Sequence, residues 1–190
     1  ELKEKKEIER ILAEMSAEAA AHREDINGNV KILVDLDVIF AKAKLAYAMR
    51  AWAPMMNDKG EVDLRKARHP LLDPKTAVPI TVRLGTDFDS MIITGPNTGG
   101  KTVTLKTIGL LTLMAECGMQ IPAAYGSEMA IFDEVYADIG DEQSIEDDLS
   151  TYSSHLTNMK IMMKSCNERS LILIDEFGGG TEPQIGGAIA

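Results

Sequence analysis

A chain of 190 residues, 45% hydrophobic and 26% charged, holds enough apolar material for one compact core with a helical appendage. No run of eighteen apolar residues occurs, which excludes a membrane-spanning helix, and the opening ELKEKKEIER lacks the apolar stretch of a secretory leader. The net charge of −10 is lopsided: residues 1–60 carry 11 acids against 10 bases, residues 61–190 carry 19 against 10, and no Lys or Arg falls between Lys106 and Lys160. Such a surface does not hold a phosphodiester backbone by counterion release; if the protein handles DNA, the gripping surface is expected outside this chain.

Residues 1–24 place Ile8, Ile11, Leu12 and Met15 at helical spacing among charges, which predicts an amphipathic helix with a narrow apolar stripe. Asn27-Gly28 is expected to break it. A second helix is predicted from about Val30 to Trp52, through Leu33, Leu36, Ile39, Phe40, Ala43, Tyr47 and Met49. Pro54 and the turn-forming NDKG at 57–60 close this unit. Residues 1–56 thus read as a helical hairpin or lever, and residues 57–190 as a separate domain.

Beyond Val62 the texture changes to short apolar runs divided by turns. AVPITVRL (77–84) alternates as a strand does, and SMIITG (90–95) reads as a buried strand running into a glycine loop. Thr102–Glu116 reads as a helix with Gly118 just past its end. EMAIFDEVYADI (128–139) suggests one or two strands, and 156–164 a helix. The four consecutive apolar residues of LILIDE (171–176) suggest a strand buried on both faces. Strand, loop, helix and buried strand are the ingredients of an α/β fold with a parallel sheet flanked by helices. Cys117 and Cys166 have no metal-ligand spacing and read as reduced core residues of a cytoplasmic protein. Glu1 is not an initiator Met and the chain stops within the apolar IGGAIA, so both ends are expected to be cut from a longer protein.

The chemistry begins at Gly95-Pro96-Asn97-Thr98-Gly99-Gly100-Lys101-Thr102, which fits G-x-x-x-x-G-K-[ST] between a predicted strand and a predicted helix. Glycines let backbone N–H groups wrap a phosphate, and the following helix adds its unpaired N–H groups and positive dipole end. Lys101 is expected to reach the β-phosphate of ATP or ADP and the γ-phosphate of ATP, and the Thr102 hydroxyl to ligate Mg²⁺. Asp175-Glu176, at the end of an apolar strand, supplies a carboxylate for Mg²⁺ and a neighbour able to polarise an attacking water. The Asp alone would serve binding, whereas the pair points to a hydrolase.

In DEQSIEDDLSTYSSH (141–155) two readings stand: N-capping of the following helix by Ser150, Thr151 or Ser153, or a second phosphate-facing site. FGGGTEP (177–183) is either a turn before another helix or a point of close backbone approach. His69, in ARHPLLD, reads as an ordinary surface or capping histidine.

GPNTGGKT, LSTYSSH, LILIDEFGGGT and RHPLL together resemble the MutS family of DNA mismatch-repair ATPases. The wording ITGPNTGGKTVTLKTIGLL and DIGDEQSIE is similar to that of its second, recombination-suppressing bacterial branch. The resemblance implies a P-loop NTPase of ABC type that works as a homodimer. Each nucleotide would lie between the phosphate loop of one subunit and the signature segment of the other. On this chain Gly95, Pro96, Asn97, Thr98, Gly99, Gly100, Lys101 and Thr102 would bind phosphates, with Asp175 and Thr102 supporting the metal and Glu176 activating water. Ser150 and Thr151 would contact the partner's γ-phosphate, and FGGGTEP would cross the dimer interface, where the family reads GAGTDP or similar. Residues 1–55 would correspond to the lever joining the ATPase to a DNA clamp for mismatched or branched DNA. The family also continues beyond position 190 with further strands, and its second branch usually with a nuclease domain. The rival readings are a P-loop phosphotransferase and a nucleotide-gated interaction module without turnover.

Overall fold

The structure, a computed structural model, describes residues 1–96, 99–140 and 148–175, with backbone alone over 148–154. Compactness divides the chain into two units, residues 1–45 and 46–190.

The first unit is helical. α1 spans Leu2–Ala21 and α2 spans Arg23–Met49, with only His22 between them. The expected break at Asn27-Gly28 is absent, because both residues lie within the first two turns of α2. A mid-helix glycine costs about 1 kcal/mol, which a helix of 27 residues absorbs. The Ile26 N–H donates to the His22 carbonyl, so helical bonding resumes at once and leaves no room for a hairpin loop. No residue of 1–45 is buried, and the apolar stripe of α1 is open: Leu12 is 58% exposed and Met15 62%.

The second unit holds the core. α2 stops at Met49, short of the predicted Trp52, because Arg50 turns to φ 52° and the Ala51 N–H donates to the Ala46 carbonyl. Trp52 instead bridges backbone to backbone with Ile121 and meets the Tyr125 ring edge to face at 5.6 Å. Strands β1 (Met55–Asn57) and β2 (Val62–Ala67) follow, separated by the NDKG turn. The Asn57 side chain holds that turn: its Oδ1 accepts the N–H groups of Lys59 and Glu61, and its Nδ2 donates to the Glu61 carbonyl at 2.8 Å. Next come β3 (Ile80–Leu84), α3 (Lys101–Glu116), β4 (Glu128–Ala130), β5 (Glu134–Asp138), α4 (Asp148–Ser165) and β6 (Ser170–Ile174).

Two sheets result. One has the order β1-β4-β2-β3, with β1 and β4 parallel and β2 antiparallel to both β3 and β4; the other pairs β5 and β6 in parallel. The architecture is therefore α/β with mixed rather than purely parallel pairing. α3 packs between them. Its Ile108, Leu111, Met114 and Ala115 share one buried cluster with Val62, Leu64, Val82 and Met129 of the first sheet and Leu171 and Leu173 of the second. Thr112, fully buried, satisfies its hydroxyl on the Ile108 carbonyl at 2.9 Å.

Four further expectations need correction. Residues 90–94 form no strand: they pair with neither sheet among the described residues, and Ile92 is 89% exposed. β6 is buried on one face only among the described residues, with Leu171 and Leu173 inward and Ile172 42% exposed, since α3 covers one side. α4 opens at Asp148, a full two turns before Leu156, so Ser150, Thr151 and Ser153 lie inside the helix and are not its N-cap. Cys117, expected in the core, is exposed at the C-cap of α3.

Candidate nucleotide site

The glycine loop bends where its sequence demands. Gly95 has φ 145° and Gly100 φ 78°, the left-handed conformation, and Gly100 is the residue from which α3 starts. A Cβ on Gly95 or Gly100 would meet nothing within 4 Å among the described residues. The Gly99 N–H donates to the Pro96 carbonyl at 2.9 Å, closing the loop's tip. Lys101 is the first residue of α3, and its Nζ reaches back across the loop to the Gly95 carbonyl at 2.5 Å. No side chain caps α3, and no acidic residue stands in its first turn, so its positive end is not neutralised by its own helix. Thr102 follows, half-buried.

The strand side is tied to this helix by close packing. A Cβ on Gly109, in the middle of α3, would lie 2.6 Å from Leu173 Cδ1, so the glycine leaves the room that the Leu173 side chain of β6 fills against the helix. Two residues after Leu173 comes Asp175, 8% exposed, directly past the strand end. Its N–H donates to the Asp138 carbonyl at 2.9 Å, extending the β5–β6 ladder by one bond.

Sequence reasoning did not single out the polar group beside it. Asp138, 4% exposed at the end of β5, faces His155 and Asn158 of α4. His155 Nδ1 lies 2.7 Å from Asp138 Oδ2, and Asn158 Nδ2 donates to Asp138 Oδ1 at 2.9 Å. A carboxylate only accepts, so Nδ1 is the ring nitrogen that bears hydrogen. The available signal was an acid closing an alternating strand (YAD) and a histidine ending the serine cluster.

Of the predicted site residues, Gly95, Pro96, Gly99, Gly100, Lys101 and Thr102 come together at the start of α3, and Asp175 stands at the end of the strand packed against that helix. Ser150 and Thr151 sit in the first two turns of α4, described by backbone alone. Asn97, Thr98, Glu176 and the FGGGTEP segment lie outside the described residues. His69 is a turn residue: its Nδ1 accepts the Leu71 N–H at 3.3 Å. Burial first, then the nearby Lys106 charge, pushes its pKa down. No group of three ligating side chains gathers among the described residues, and no helix there is long and apolar enough to cross a membrane.

The profile of the MutS domain V family matches residues 91–190. The chain belongs to the MutS family. It is 57% identical to an Endonuclease MutS2 of Geobacillus sp. (strain WCH70) and 57% identical to one of Lachnospira eligens, over its whole length in each case. It is also 56% identical to a Putative endonuclease MutS2 of Bacillus subtilis (strain 168). This MutS-family chain spans 24% of the length of those relatives, so it is a fragment by comparison with them. The matched span starts at Met91 and so takes in the glycine loop, α3, the Asp138 group, α4 and Asp175.

Proposed function

We propose that this chain is the ATP-binding and ATP-hydrolysing part of a MutS-type switch in bacterial DNA repair and recombination control. The observation that carries the reading is the start of α3. There Gly100 in the left-handed conformation, an uncapped and acid-free first turn, and Lys101 folded over the loop onto Gly95 stand together at one helix start, the arrangement that favours a bound phosphate.

In this reading the loop Gly95–Thr102 wraps the phosphates of ATP, and Lys101 exchanges the Gly95 carbonyl for β- and γ-phosphate oxygens. The hydroxyl of Thr102 and the carboxylate of Asp175 are hard oxygen donors of the kind magnesium takes together with nucleotide phosphates and water. Magnesium, when bound, supplies positive charge to the phosphate oxygens. Glu176 takes a proton from a water, whose oxygen bonds to the γ-phosphorus as the bond to the β–γ bridging oxygen breaks, leaving ADP and phosphate. Ser150 and Thr151 contact the γ-phosphate held by a second copy of the chain, so that ATP closes a homodimer and hydrolysis reopens it. The helices of residues 1–56 pass that change to DNA-binding parts outside this chain, in the cytoplasm. The charge of 61–190, 19 acids against 10 bases, supports placing the DNA contacts elsewhere.

The test is Glu176→Gln in the full-length protein. Loss of the base alone lowers turnover about 100-fold or more, while nucleotide affinity stays within about threefold. Unchanged turnover refutes the assignment of Glu176.

A further inference from the structure

Three groups converge on one buried residue, two from α4 on its carboxylate and one from the end of β6 on its backbone carbonyl. Asp138 closes β5, and its backbone carbonyl holds the N–H of Asp175 at 2.9 Å. Its two carboxylate oxygens are spent on α4, one on His155 at 2.7 Å and the other on Asn158 at 2.9 Å. His155 and Asn158 are three apart on the helix and therefore share a face. Asp138 is 4% exposed, so this pairing is made away from water, where a hydrogen bond to a charged group contributes more and an unmatched one costs more.

We propose that Asp138 and His155 are positioning residues: a buried clamp that fixes α4 against the end of the β5–β6 sheet and so sets where the first turns of α4 stand relative to Asp175. One residue, Asp138, touches both parts, through its backbone on the metal-side strand end and through its side chain on the helix that carries Ser150 and Thr151. This inference rests on the ATPase reading only for its catalytic consequence; the clamp itself is a statement about the fold. His155 lies four and five residues from Thr151 and Ser150, little more than one helical turn, so release of the ring tilts the segment assigned to the partner's γ-phosphate. The loop that binds the chain's own nucleotide, at the start of α3, is untouched by the clamp.

The experiment uses the full-length protein with His155→Ala, His155→Asn and Asn158→Ala, measuring amide hydrogen exchange over 148–158, turnover, and affinity for ATP. Asparagine places an N–H near the position of Nδ1 and is the conservative replacement. His155→Ala is expected to speed exchange over 148–158 and leave 101–116 unchanged. It is also expected to lower kcat roughly tenfold with the ATP dissociation constant within about twofold. His155→Asn restores both, and Asn158→Ala, which removes one donor of two, gives the same pattern at smaller size should His155→Ala fail to fold. Unchanged exchange in α4 overturns the clamp. Faster exchange with unchanged kcat, loss of affinity in step with kcat, or no rescue by asparagine overturns its positioning role. Lys101→Ala is the control for the underlying reading: if it binds ATP normally, the ATPase assignment fails, and exchange over 148–158 still decides the clamp.

Discussion

α1 and α3 are both amphipathic by sequence, yet they end in opposite situations. α1 has 20 residues and buries none of them; α3 has 16 and buries seven, from Thr107 to Ala115. The stripe Ile8, Ile11, Leu12, Met15 is as regular as the face Ile108, Leu111, Met114, Ala115, but only the second finds sheets to cover it. Periodicity names a face; what covers the face is decided by elements far away in sequence. The difference also says where chemistry can be held. A lysine at the first turn of a helix locked between two sheets keeps its position, and that is where the glycine loop is attached.

The comparison breaks most readily at Leu111, which is fully buried. Leu111→Ala is expected to destabilise the unit 46–190 by about 2–5 kcal/mol, and Leu12→Ala, at 58% exposure, by less than about 0.5 kcal/mol, read by denaturant unfolding. Equal effects would mean that the stripe of α1 is covered in solution.

Helix ends give a smaller and sharper contrast. α3 closes in a Schellman turn: Gly118 at φ 66° donates to the Ala115 carbonyl, and Met119 to the Met114 carbonyl. α2 closes with the same bonds, Arg50 to Tyr47 and Ala51 to Ala46, but with an arginine at φ 52° in the glycine's place. A side chain in this conformation costs about 1–2 kcal/mol. Gly118→Ala is therefore expected to lower stability by about 1 kcal/mol and Arg50→Gly to raise it or leave it level, a pair of opposite signs in one thermal-melting series. A loss of stability in Arg50→Gly would show that the arginine side chain contributes more than its backbone strain.

The smallest effect concerns charge. The hydrogen bond from Arg65, opposed in part by burial and aided by the Arg65 and Arg83 charges, holds the Asp63 carboxyl below the usual carboxylate range. A folded-state pKa below the unfolded one stabilises above the unfolded value, about 3.9, and that contribution is lost as pH falls through the folded value. The stability gap between wild type and Asp63→Asn should therefore be full at pH 7 and close on acidification below about 4. A gap independent of pH refutes the pairing.

The parts of this fold legible in the sequence were those with local causes. The glycine loop, the start of α3 and its glycine stop, the alternating Ile80–Leu84 strand and the two strands of 128–139 all follow from nearby residues. The misreadings had non-local causes. The apolar content of SMIITG and LILI suggests burial, but burial needs a partner on each face, and Ile92 and Ile172 find none among the described residues. β1 and β2 passed unseen because MMN is too short for a pattern and VDLRKA takes its buried positions from the neighbouring strands. The Asp138–His155–Asn158 group was invisible for the same reason: its members are 17 and 20 residues apart and meet only once α4 packs on β5.

The account stands most directly on Lys101. Titration of the full-length protein with ATP, wild type against Lys101→Ala, should show affinity weakened about 10–100-fold, the size expected for one charge-assisted contact to phosphate. Equal affinity in the two proteins would contradict the assignment of the Gly95–Thr102 loop as the nucleotide site.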